Sequence, residues 1–556
     1  MDYSELVEVY SALEKTSKRL EKIDIISKLI KKCDKDELIT IIYLLRGRVF
    51  PDYDERKIGM GSRLILKVIN NAAGIHAHDV EKLWRKKGDL GLVAEELMKD
   101  KKQTTLMQRK LDVKKVFDNI RKLAELEGEG TVNRKISLIA ELLTSAKPSE
   151  ARFIVRTVLD ELRIGVAEGV LRDSIAKAYG LGAADVEKSF NVLVDYGEVA
   201  LRAMEGKLKK LNLVVGGPLR VMLSIKVDGI KEAFEAVGKP ALLEFKLDGF
   251  RVVINKKGKD VSLFTRRLEN VTKQFKETVS IINEYVKAKS CILDSEFVGY
   301  DPKSRRYLPF QNISQRIKRK YDIEAVAKKL PVEINVFDVL HLNGKDLMHI
   351  EQEKRRDILE EIIKESKRKI VVTKKLVTAD EKRAMKLFDE ALALGHEGLM
   401  IKNLKSIYQP GRRVGGWVKL KNVLEPLDLV ITKCYFGEGK RAGWLTSYML
   451  SCKEGDKLLE VGKVSTGVKE KGEGFTYKKM TKMLRPFIKK QQGQEAIAEP
   501  KVIIEVGYEE IQKSPTYSSG FALRFPRFIR DRTVEKKLQD INTLEDIKRL
   551  YKQQQK

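Results

Sequence analysis

Cysteine is rare in this sequence, and long apolar runs are absent. The cysteines stand far apart, at positions 33, 291, 434 and 452. Because no two of them form a Cys-x-x-Cys pair, neither a zinc module nor a disulfide framework is expected. No apolar run is long enough to predict a membrane span. The first residues, Met-Asp-Tyr-Ser-Glu-Leu, lack the basic and apolar segments of a secretory signal, so we expect a cytoplasmic protein.

Acidic residues are too few to balance the basic ones. The chain has 109 Lys and Arg against 80 Asp and Glu, a formal net charge of +29 at pH 7. Such an excess favours a polyanionic partner, either nucleic acid or an anionic membrane surface. A chain of 556 residues predicts roughly three to four domains. Frequent Lys, Glu and Ile with few His and Cys are typical of thermophilic proteins.

Proline is nearly absent from the first 215 residues, where apolar residues recur at helical spacing. This pattern predicts an all-α domain over residues 1–216, which ends at the Gly-Gly-Pro sequence 216–218. One such apolar stripe consists of Leu20, Ile23, Ile26, Leu29 and Ile30. A second consists of Ile154, Val155, Val158, Leu159 and Leu162.

Short strands and helices alternate between residues 217 and 423, which predicts an α+β domain. A helix is expected over 382–394, and Lys257-Gly258-Lys259 is typical of a hairpin turn. The strands expected near this turn are Leu242–Lys246, Arg251–Asn255 and Val261–Thr265.

Apolar strands separated by glycine turns occupy residues 424–556 and predict a small β-barrel of the oligonucleotide-binding (OB) type. A short helix closes the chain, with Thr543 as its N-cap and Asp546 three residues later. The strands expected in this region are Leu429–Tyr435, Ser447–Ser451, Leu458–Val461 and Val502–Val506.

The most informative stretch reads Glu-Phe-Lys-Leu-Asp-Gly-Phe-Arg, at residues 244–251. It sets Lys246 beside carboxylates on a half-buried strand that runs into a turn at Gly249, so this lysine is a candidate nucleophile. Lys-x-Asp-Gly alone is a short pattern, and a lysine in a turn is more often structural than catalytic. Five further motifs follow in order, at residues 292–297, 337–338, 397–402, 417–421 and 524–530.

This ordered set of motifs resembles the covalent nucleotidyltransferases, which include DNA ligases, RNA ligases and mRNA capping enzymes. Over nearly the whole chain it is most similar to ATP-dependent DNA ligases of the archaeal and eukaryotic replicative type. The resemblance implies that Lys246 attacks the α-phosphate of ATP and forms a lysyl-AMP. The AMP then passes to a 5′-phosphate at a nick, and the 3′-hydroxyl expels it. Because only a neutral amine attacks, the lysine pKa, about 10.4 in reference peptides, must be lowered by desolvation and nearby cations.

Two glutamates in apolar, strand-like stretches are the metal ligands that the resemblance implies. These are Glu296 and Glu397, and Mg²⁺ (or Mn²⁺) prefers such oxygen donors together with substrate phosphates. Asp294 lies on the same strand face as Glu296 and is a secondary candidate. Asp248 is expected to orient the Lys246 region or the ribose.

The remaining nucleotide contacts also follow from the resemblance. Phe337 would stack on adenine, and Glu244 would accept a hydrogen bond from the adenine amino group, which favours ATP over GTP. Transfer of a phosphoryl group needs cations around the phosphates. The expected ribose and phosphate contacts are Arg251, Arg266, Arg413, Lys419 and Lys421. The last motif would orient pyrophosphate in the first step through Arg524, Arg527 and Arg530, or would form only a nucleic-acid patch.

Nicked double-stranded DNA is the expected partner, contacted by a monomer associated with the nucleoid. Arg163 and Gly165 are the proposed contacts to the DNA backbone in the helical domain. Archaeal relatives often bind the sliding clamp near residue 103 through a glutamine followed by two aromatic residues. Here the segment has Gln103, Leu106 and Met107, so the aromatic residues are replaced and the clamp contact is open.

Two other functions remain to be distinguished. An RNA ligase or a capping guanylyltransferase shares the Lys-x-Asp-Gly chemistry, but a helical domain of over 200 residues argues against it. A basic, non-catalytic nucleic-acid scaffold would explain the charge and the barrel, but not Glu296 and Glu397 inside apolar strands. Use of NAD is not expected, since neither a nicotinamide-binding region nor a four-cysteine site is present in the sequence.

Overall fold

The computed structural model describes most of the chain and divides it into two compact units. The described residues are 1–54, 56–99, 110–208, 213–317, 319, 321–422, 424–437, 441, 443–470 and 472–554, with the backbone alone at 414 and 415. The first unit comprises Met1–Ile225, Ala236–Val377 and Lys402–Val418. The second unit comprises Lys226–Glu235, Thr378–Ile401 and Lys419–Lys556.

The N-terminal region consists of helices, as the sequence predicts. Their apolar faces pack into one core that runs from Tyr3 to Leu208. Both predicted stripes contribute to this core, except that Leu20 is 78% exposed because it lies in the first turn of α2. The helices are α1 (Tyr3–Lys15), α2 (Arg19–Lys32), α3 (Lys35–Leu45), α4 (Ser62–Ala73), α5 (Ala77–Lys87), α6 (Leu90–Leu97), α7 (Val113–Lys122), α8 (Thr131–Ser145), α9 (Pro148–Val158), α10 (Glu168–Tyr179), α11 (Ala183–Leu193) and α12 (Tyr196–Met204).

The central region mixes strands and helices, again as predicted. Its strands are β1 (Leu223–Val227), β2 (Ala241–Lys246), β3 (Phe250–Lys257), β4 (Asp260–Thr265), β5 (Ser290–Gly299), β6 (Val332–Leu342), β7 (Lys345–Asp346), β8 (Ile370–Val372), β9 (Lys375–Thr378), β10 (Gly398–Asn403) and β11 (Arg413–Lys421). Its helices are α13 (Ile230–Val237), α14 (Lys276–Tyr285), α15 (Phe310–Ile317), α16 (Ile323–Lys329), α17 (Gln352–Ile362) and α18 (Glu381–Ala393).

Two sheets organise these strands. One has the order β1-β11-β10-β2-β9, and the other has the order β4-β3-β5-β6-β7 with β8 parallel to β6. The predicted hairpin joins β3 to β4, where Lys257 pairs with Asp260 and Gly258 adopts a φ of 60°. Nearly every residue of β5 and β6 is buried. The polar residues of these two strands, among them Asp294, Glu333 and Asp338, are therefore buried as well.

The C-terminal region is built mainly of strands, which confirms that part of the prediction. They are β12 (Leu427–Phe436), β13 (Leu445–Glu454), β14 (Lys457–Val464), β15 (Ile488–Gln492), β16 (Glu495–Ala498), β17 (Ile503–Gly507), β18 (Glu510–Lys513), β19 (Phe521–Arg524) and β20 (Arg527–Asp531), with helices α19 (Tyr477–Leu484) and α20 (Leu544–Gln554). Seven of them pair in the order β14-β13-β12-β16-β15, with β17 between β12 and β20, while β18 pairs with β19. Closure of these strands into an OB barrel stays a prediction.

The closing helix begins as the sequence predicts. The Asp546 amide donates to Thr543 Oγ1 at 3.2 Å, and the Thr543 amide donates to Asp546 Oδ2 at 2.9 Å. This reciprocal pair satisfies two donors at the start of α20. Across the described residues, no helix combines the length and the apolar character that crossing a membrane requires.

Candidate functional site

Lys246 stands at the end of β2, where the strand changes from buried to half-buried. The turn that follows packs tightly against β5. A Cβ atom on Gly249 would lie 2.4 Å from the Phe297 carbonyl oxygen and 2.9 Å from Glu296 Cγ. Asp248 accepts a hydrogen bond at 3.1 Å from the Phe310 amide, at the start of α15. There is therefore no room for a side chain at Gly249, and the hydrogen bond of Asp248 stabilises the turn after the lysine.

Glu296 is the exception on a buried strand. From Cys291 to Gly299 it alone is half-buried, while its neighbours are buried. Glu296 lies opposite Arg251 in the pairing of β5 with β3, and its side chain lies against Gly249. The turn after Lys246 thus meets a carboxylate that keeps access to solvent.

Asp294, the secondary metal candidate, is fully buried, and both of its oxygens accept hydrogen bonds from protein side chains. Arg251 donates to both of its oxygens, from Nε at 2.8 Å and from Nη2 at 2.5 Å. The hydroxyl of Tyr408 donates to Asp294 at 2.7 Å and accepts from the Met222 amide at 3.0 Å. Asp294 therefore holds Arg251 in place, and Tyr408 is part of the site although no motif indicated it.

Burial and the charge of Asp294 have opposite effects on the pKa of Arg251 and the same effect on the pKa of Tyr408. Burial alone would lower the pKa of Arg251, but the carboxylate of Asp294 raises it above its usual range. Burial, and then the charge of Asp294, raise the pKa of the Tyr408 hydroxyl well above its usual value. Arg251 is therefore a permanent cation and Tyr408 a neutral hydrogen-bond donor.

Arg266 lies close enough to Arg251 and Arg413 for their charges to act on it. Desolvation and then repulsion from Arg251 and Arg413 lower the pKa of Arg266, while the charge of Glu296 opposes this shift. The structure therefore brings together Arg251, Arg266, Arg413 and Glu296, four residues that the sequence analysis assigned to the nucleotide and the metal.

Phe337 is the half-buried residue within the buried run of β6. Its ring lies 6.1 Å from that of Trp417 in an edge-to-face arrangement. The ammonium group of Lys402 lies 4.9 Å from the Phe337 ring centre and 4.4 Å from that of Trp417. Trp417 is buried and donates to Gln352 Oε1 at 3.0 Å. Phe337 is thus a rigidly supported aromatic surface.

Glu244, the predicted adenine acceptor, is 2% exposed and bound by three donors. They are Arg356 at 2.5 Å, Lys402 at 2.5 Å and Thr373 at 2.9 Å. The motifs gave no role to these donors. Lys402 lies inside the motif at 397–402, whereas Arg356 and Thr373 lie outside every motif and left no sequence signal.

The predicted residues of the second unit form their own contacts. Lys421 binds Glu397 at 2.7 Å and Glu509 at 2.9 Å. Burial lowers the pKa of Lys421, but these two carboxylates raise it on balance. Gly398, at a φ of 140°, approaches the next strand so closely that a Cβ would lie 2.2 Å from the Leu420 carbonyl oxygen. The backbone beside Glu397 therefore lies against β11, and Lys421 of that strand binds the Glu397 carboxylate.

Lys419 and Lys421 are both half-buried, and Leu420 between them is buried, so the two lysines share a strand face as predicted.

The arginines of the last motif are partly paired. Arg524 binds Glu510 at 3.0 Å, and Arg530 binds Glu505 at 2.7 Å, while Arg527 is exposed. Phe525 between them has a φ of 49° and is 67% exposed. A left-handed conformation at a bulky residue is strained, and the sequence analysis gave this aromatic residue no role.

The loop between α9 and α10 contains the predicted DNA contacts. Arg163 has a φ of 58° and binds Asp89 at 3.3 Å and Glu161 at 2.5 Å. Gly165 has a φ of 69°, and the buried Lys22 below it donates to the carbonyl oxygens of Leu13, at 2.8 Å, and Ile164. The clamp candidates Gln103, Leu106 and Met107 lie outside the described residues.

Three family models match successive parts of the chain. Residues 2–176 match the family model "DNA ligase N terminus", residues 221–421 match "ATP dependent DNA ligase domain", and residues 441–535 match "ATP dependent DNA ligase C terminal region".

Relatives in archaea are similar over their full length. A DNA ligase of Nanoarchaeum equitans is 45% identical, with all of this chain and 99% of the relative covered. A DNA ligase of Thermococcus onnurineus is 40% identical with the same coverage. A solved structure titled Pmar-Lig_PreS3 has a TM-score of 0.55 and 18% identity, covering 95% of this chain and 99% of its own, which shows the fold alone. The chain therefore belongs to the ATP-dependent DNA ligases of the archaeal type.

Proposed function

We propose that Lys246 is the nucleophile through which this ligase seals nicks in duplex DNA. The observation that supports this most is the packing of Gly249 against Glu296 and Phe297, because it fixes the turn after Lys246 beside a half-buried carboxylate. Arg251 and Arg266 supply cations to the same region. Cations in this region would favour the neutral form of the lysine and would stabilise the phosphate charge during attack.

The reaction consists of three displacements at phosphorus. Lys246 Nζ attacks the α-phosphate of ATP, a nitrogen–phosphorus bond forms, and pyrophosphate leaves. An oxygen of the DNA 5′-phosphate then attacks the same phosphorus atom and releases the lysine. Finally the 3′-hydroxyl attacks the 5′-phosphate, and AMP leaves with the electron pair of the broken bond.

The purine would stack on Phe337, the half-buried ring that Trp417 supports from its edge. Glu244 would accept from the 6-amino group. Arg251, held by Asp294 and Tyr408, would contact the ribose or phosphate. The other proposed contacts to the nucleotide phosphates are Arg266, Arg413, Lys419 and Lys421.

Glu296 and Glu397 are the proposed ligands of Mg²⁺ (or Mn²⁺), and their chemistry fits it. Both are half-buried carboxylates, the donors that Mg²⁺ prefers. The described residues contain no group of three or more His, Cys, Asp or Glu placed to hold a metal ion. Mg²⁺ is usually bound through one or two protein carboxylates, with waters and substrate phosphates as its other ligands. When bound, the ion would neutralise phosphate charge. In this structure the Lys421 ammonium group binds the Glu397 carboxylate.

The remaining assignments concern DNA and the domains. We propose three domains, 1–216, 217–423 and 424–556, whose boundaries follow the changes in element type. Arg163 and Gly165 would contact the backbone of nicked DNA. Arg524, Arg527 and Arg530 would orient pyrophosphate in the first step. The chain would act as a monomer in the cytoplasm.

The test is transfer of label from α-labelled ATP, GTP or NAD to the purified protein, followed by addition of nicked duplex. We expect label from ATP that denaturing gels retain and that nicked DNA discharges, and we expect none in Lys246→Ala. Label from GTP alone would favour a capping reaction and would contradict the proposal. So would label that survives the Lys246→Ala substitution.

A further inference from the structure

The carboxylate of Glu244 has one acceptor position left. A carboxylate offers about four positions to hydrogen-bond donors. Arg356 Nη1 and Thr373 Oγ1 both donate to Oε1, at 2.5 and 2.9 Å. Lys402 Nζ binds Oε2 at 2.5 Å. Among the described residues these are its partners, so Oε1 is filled and Oε2 can take one more donor.

Arg356, which donates to Oε1, holds the Glu244 carboxylate in its orientation. This guanidinium is 4% exposed and also donates to the Thr373 carbonyl oxygen, and from Nε to Glu360 at 2.8 Å. Lys375 also binds Glu360, at 2.8 Å. Charges of alternating sign therefore extend from the site towards the surface, in the order Lys402, Glu244, Arg356, Glu360 and Lys375.

The remaining acceptor position on Oε2 can distinguish two kinds of purine. A 6-amino group can donate to Oε2, whereas a 6-oxo group has no proton there and would set two acceptors against each other. Leaving a buried polar group without a partner is costly, so such a site discriminates strongly. Lys402 connects this carboxylate to the Phe337 ring, over which its ammonium lies.

We propose that Arg356, together with Thr373, is a positioning residue that sets base selectivity: it fixes Glu244 with a single acceptor available and so favours 6-aminopurine over 6-oxopurine nucleotides. This rests on the proposed function, in which Glu244 faces the purine. Neither Arg356 nor Thr373 touches the nucleotide in this role. Without them the carboxylate can rotate, so it binds the 6-amino group less well and excludes a 6-oxo group less strongly.

The experiment measures selectivity in the adenylation step with the full-length protein. Single-turnover label transfer to protein from α-labelled ATP and α-labelled ITP, without DNA and over a range of nucleotide concentrations, gives an apparent kcat/KM for each nucleotide. The variants are Thr373→Val, which keeps the side-chain shape, Arg356→Lys and Arg356→Met. Arg368→Met is the matched control, because Arg368 pairs with the buried Glu333 at 3.4 Å and does not contact Glu244.

We expect the wild type to prefer ATP over ITP by about 100-fold or more. Arg356→Met should reduce this ratio by at least about tenfold, mainly through a higher KM for ATP, and Thr373→Val by about threefold or more. Arg356→Lys should retain part of the ratio. Arg368→Met should leave the ratio unchanged.

An unchanged ratio in Thr373→Val and in the Arg356 variants, with both nucleotides losing activity equally, would show a merely structural role and overturn the proposal. If Arg356→Met does not fold, Thr373→Val and Arg356→Lys decide the matter. A wild type that does not distinguish ATP from ITP would also overturn it. Failure of the proposed function itself is distinguishable, since the wild type would then take no label or Lys246→Ala would keep it.

Discussion

At the scale of single residues, the site depends on side chains that the motifs do not contain. Tyr408 joins the Met222 amide, Asp294 and Arg251 through one hydroxyl. It lies 114 residues from Asp294 in sequence. Such a contact is created only when the chain folds, so neither periodicity nor motif spacing could have predicted it. Apolar neighbours indicated that Lys246 and Glu296 lie on strands, whereas their roles in the reaction stay predictions.

Removal of the Tyr408 hydroxyl should destabilise the first unit. Tyr408→Phe leaves the buried Met222 amide without its acceptor, which costs about 1–3 kcal/mol. Calorimetry should show a lower unfolding midpoint for the transition that includes the first unit. The matched control is Tyr300→Phe, whose hydroxyl makes one partly exposed hydrogen bond at 3.3 Å. Equal shifts in the two variants would contradict the assigned role of Tyr408.

The close approach at Gly249 leads to a second prediction at this scale. Gly249→Ala sets a methyl group 2.4 Å from the Phe297 carbonyl oxygen, so the turn after Lys246 must move. We expect adenylation to fall by about 100-fold, because an error of about 1 Å in placing a reacting group has costs of that size. Gly229→Ala is the control, since a Cβ there meets nothing within 4 Å. Normal adenylation by Gly249→Ala would show that the packing is dispensable.

At the scale of elements, the sequence predicted local features but contained no signal for long-range pairing. The β3–β4 hairpin and the start of α20 depend on neighbouring residues, and both lie where the sequence predicts them. Element type in all three regions followed from apolar spacing. The order of strands in the sheets did not, because β2 pairs with strands far from it in sequence. Arg356, 112 residues from Glu244, reaches it only through that topology.

The cap of α20 gives a test at this scale. Thr543→Ala removes one half of the reciprocal pair with Asp546 and should cost about 1 kcal/mol. Hydrogen exchange of the amides in the first turn of α20 should then be about fivefold faster. Because both residues act in one motif, the double variant with Asp546→Ala should lose less than the sum of the two single variants. Strict additivity would contradict the cap.

At the scale of the whole molecule, the excess of positive charge is the property that governs DNA binding. A net charge of +29 predicts association through phosphate contacts, so affinity for nicked duplex should fall steeply as salt rises. Arg163→Gln should reduce the slope of log affinity against log salt by about 1. Fluorescence anisotropy across a salt series measures this, with Lys246→Ala expected to keep the wild-type slope. Affinity that is independent of salt would contradict the prediction.

Peptide mass spectrometry of the protein after incubation with ATP and a divalent cation shows whether Lys246 carries AMP. We expect AMP on the peptide that contains Lys246, with the bond at its Nζ atom, and loss of that AMP when nicked duplex is added. AMP found on another residue, or AMP on Lys246 that nicked duplex does not remove, would contradict this expectation.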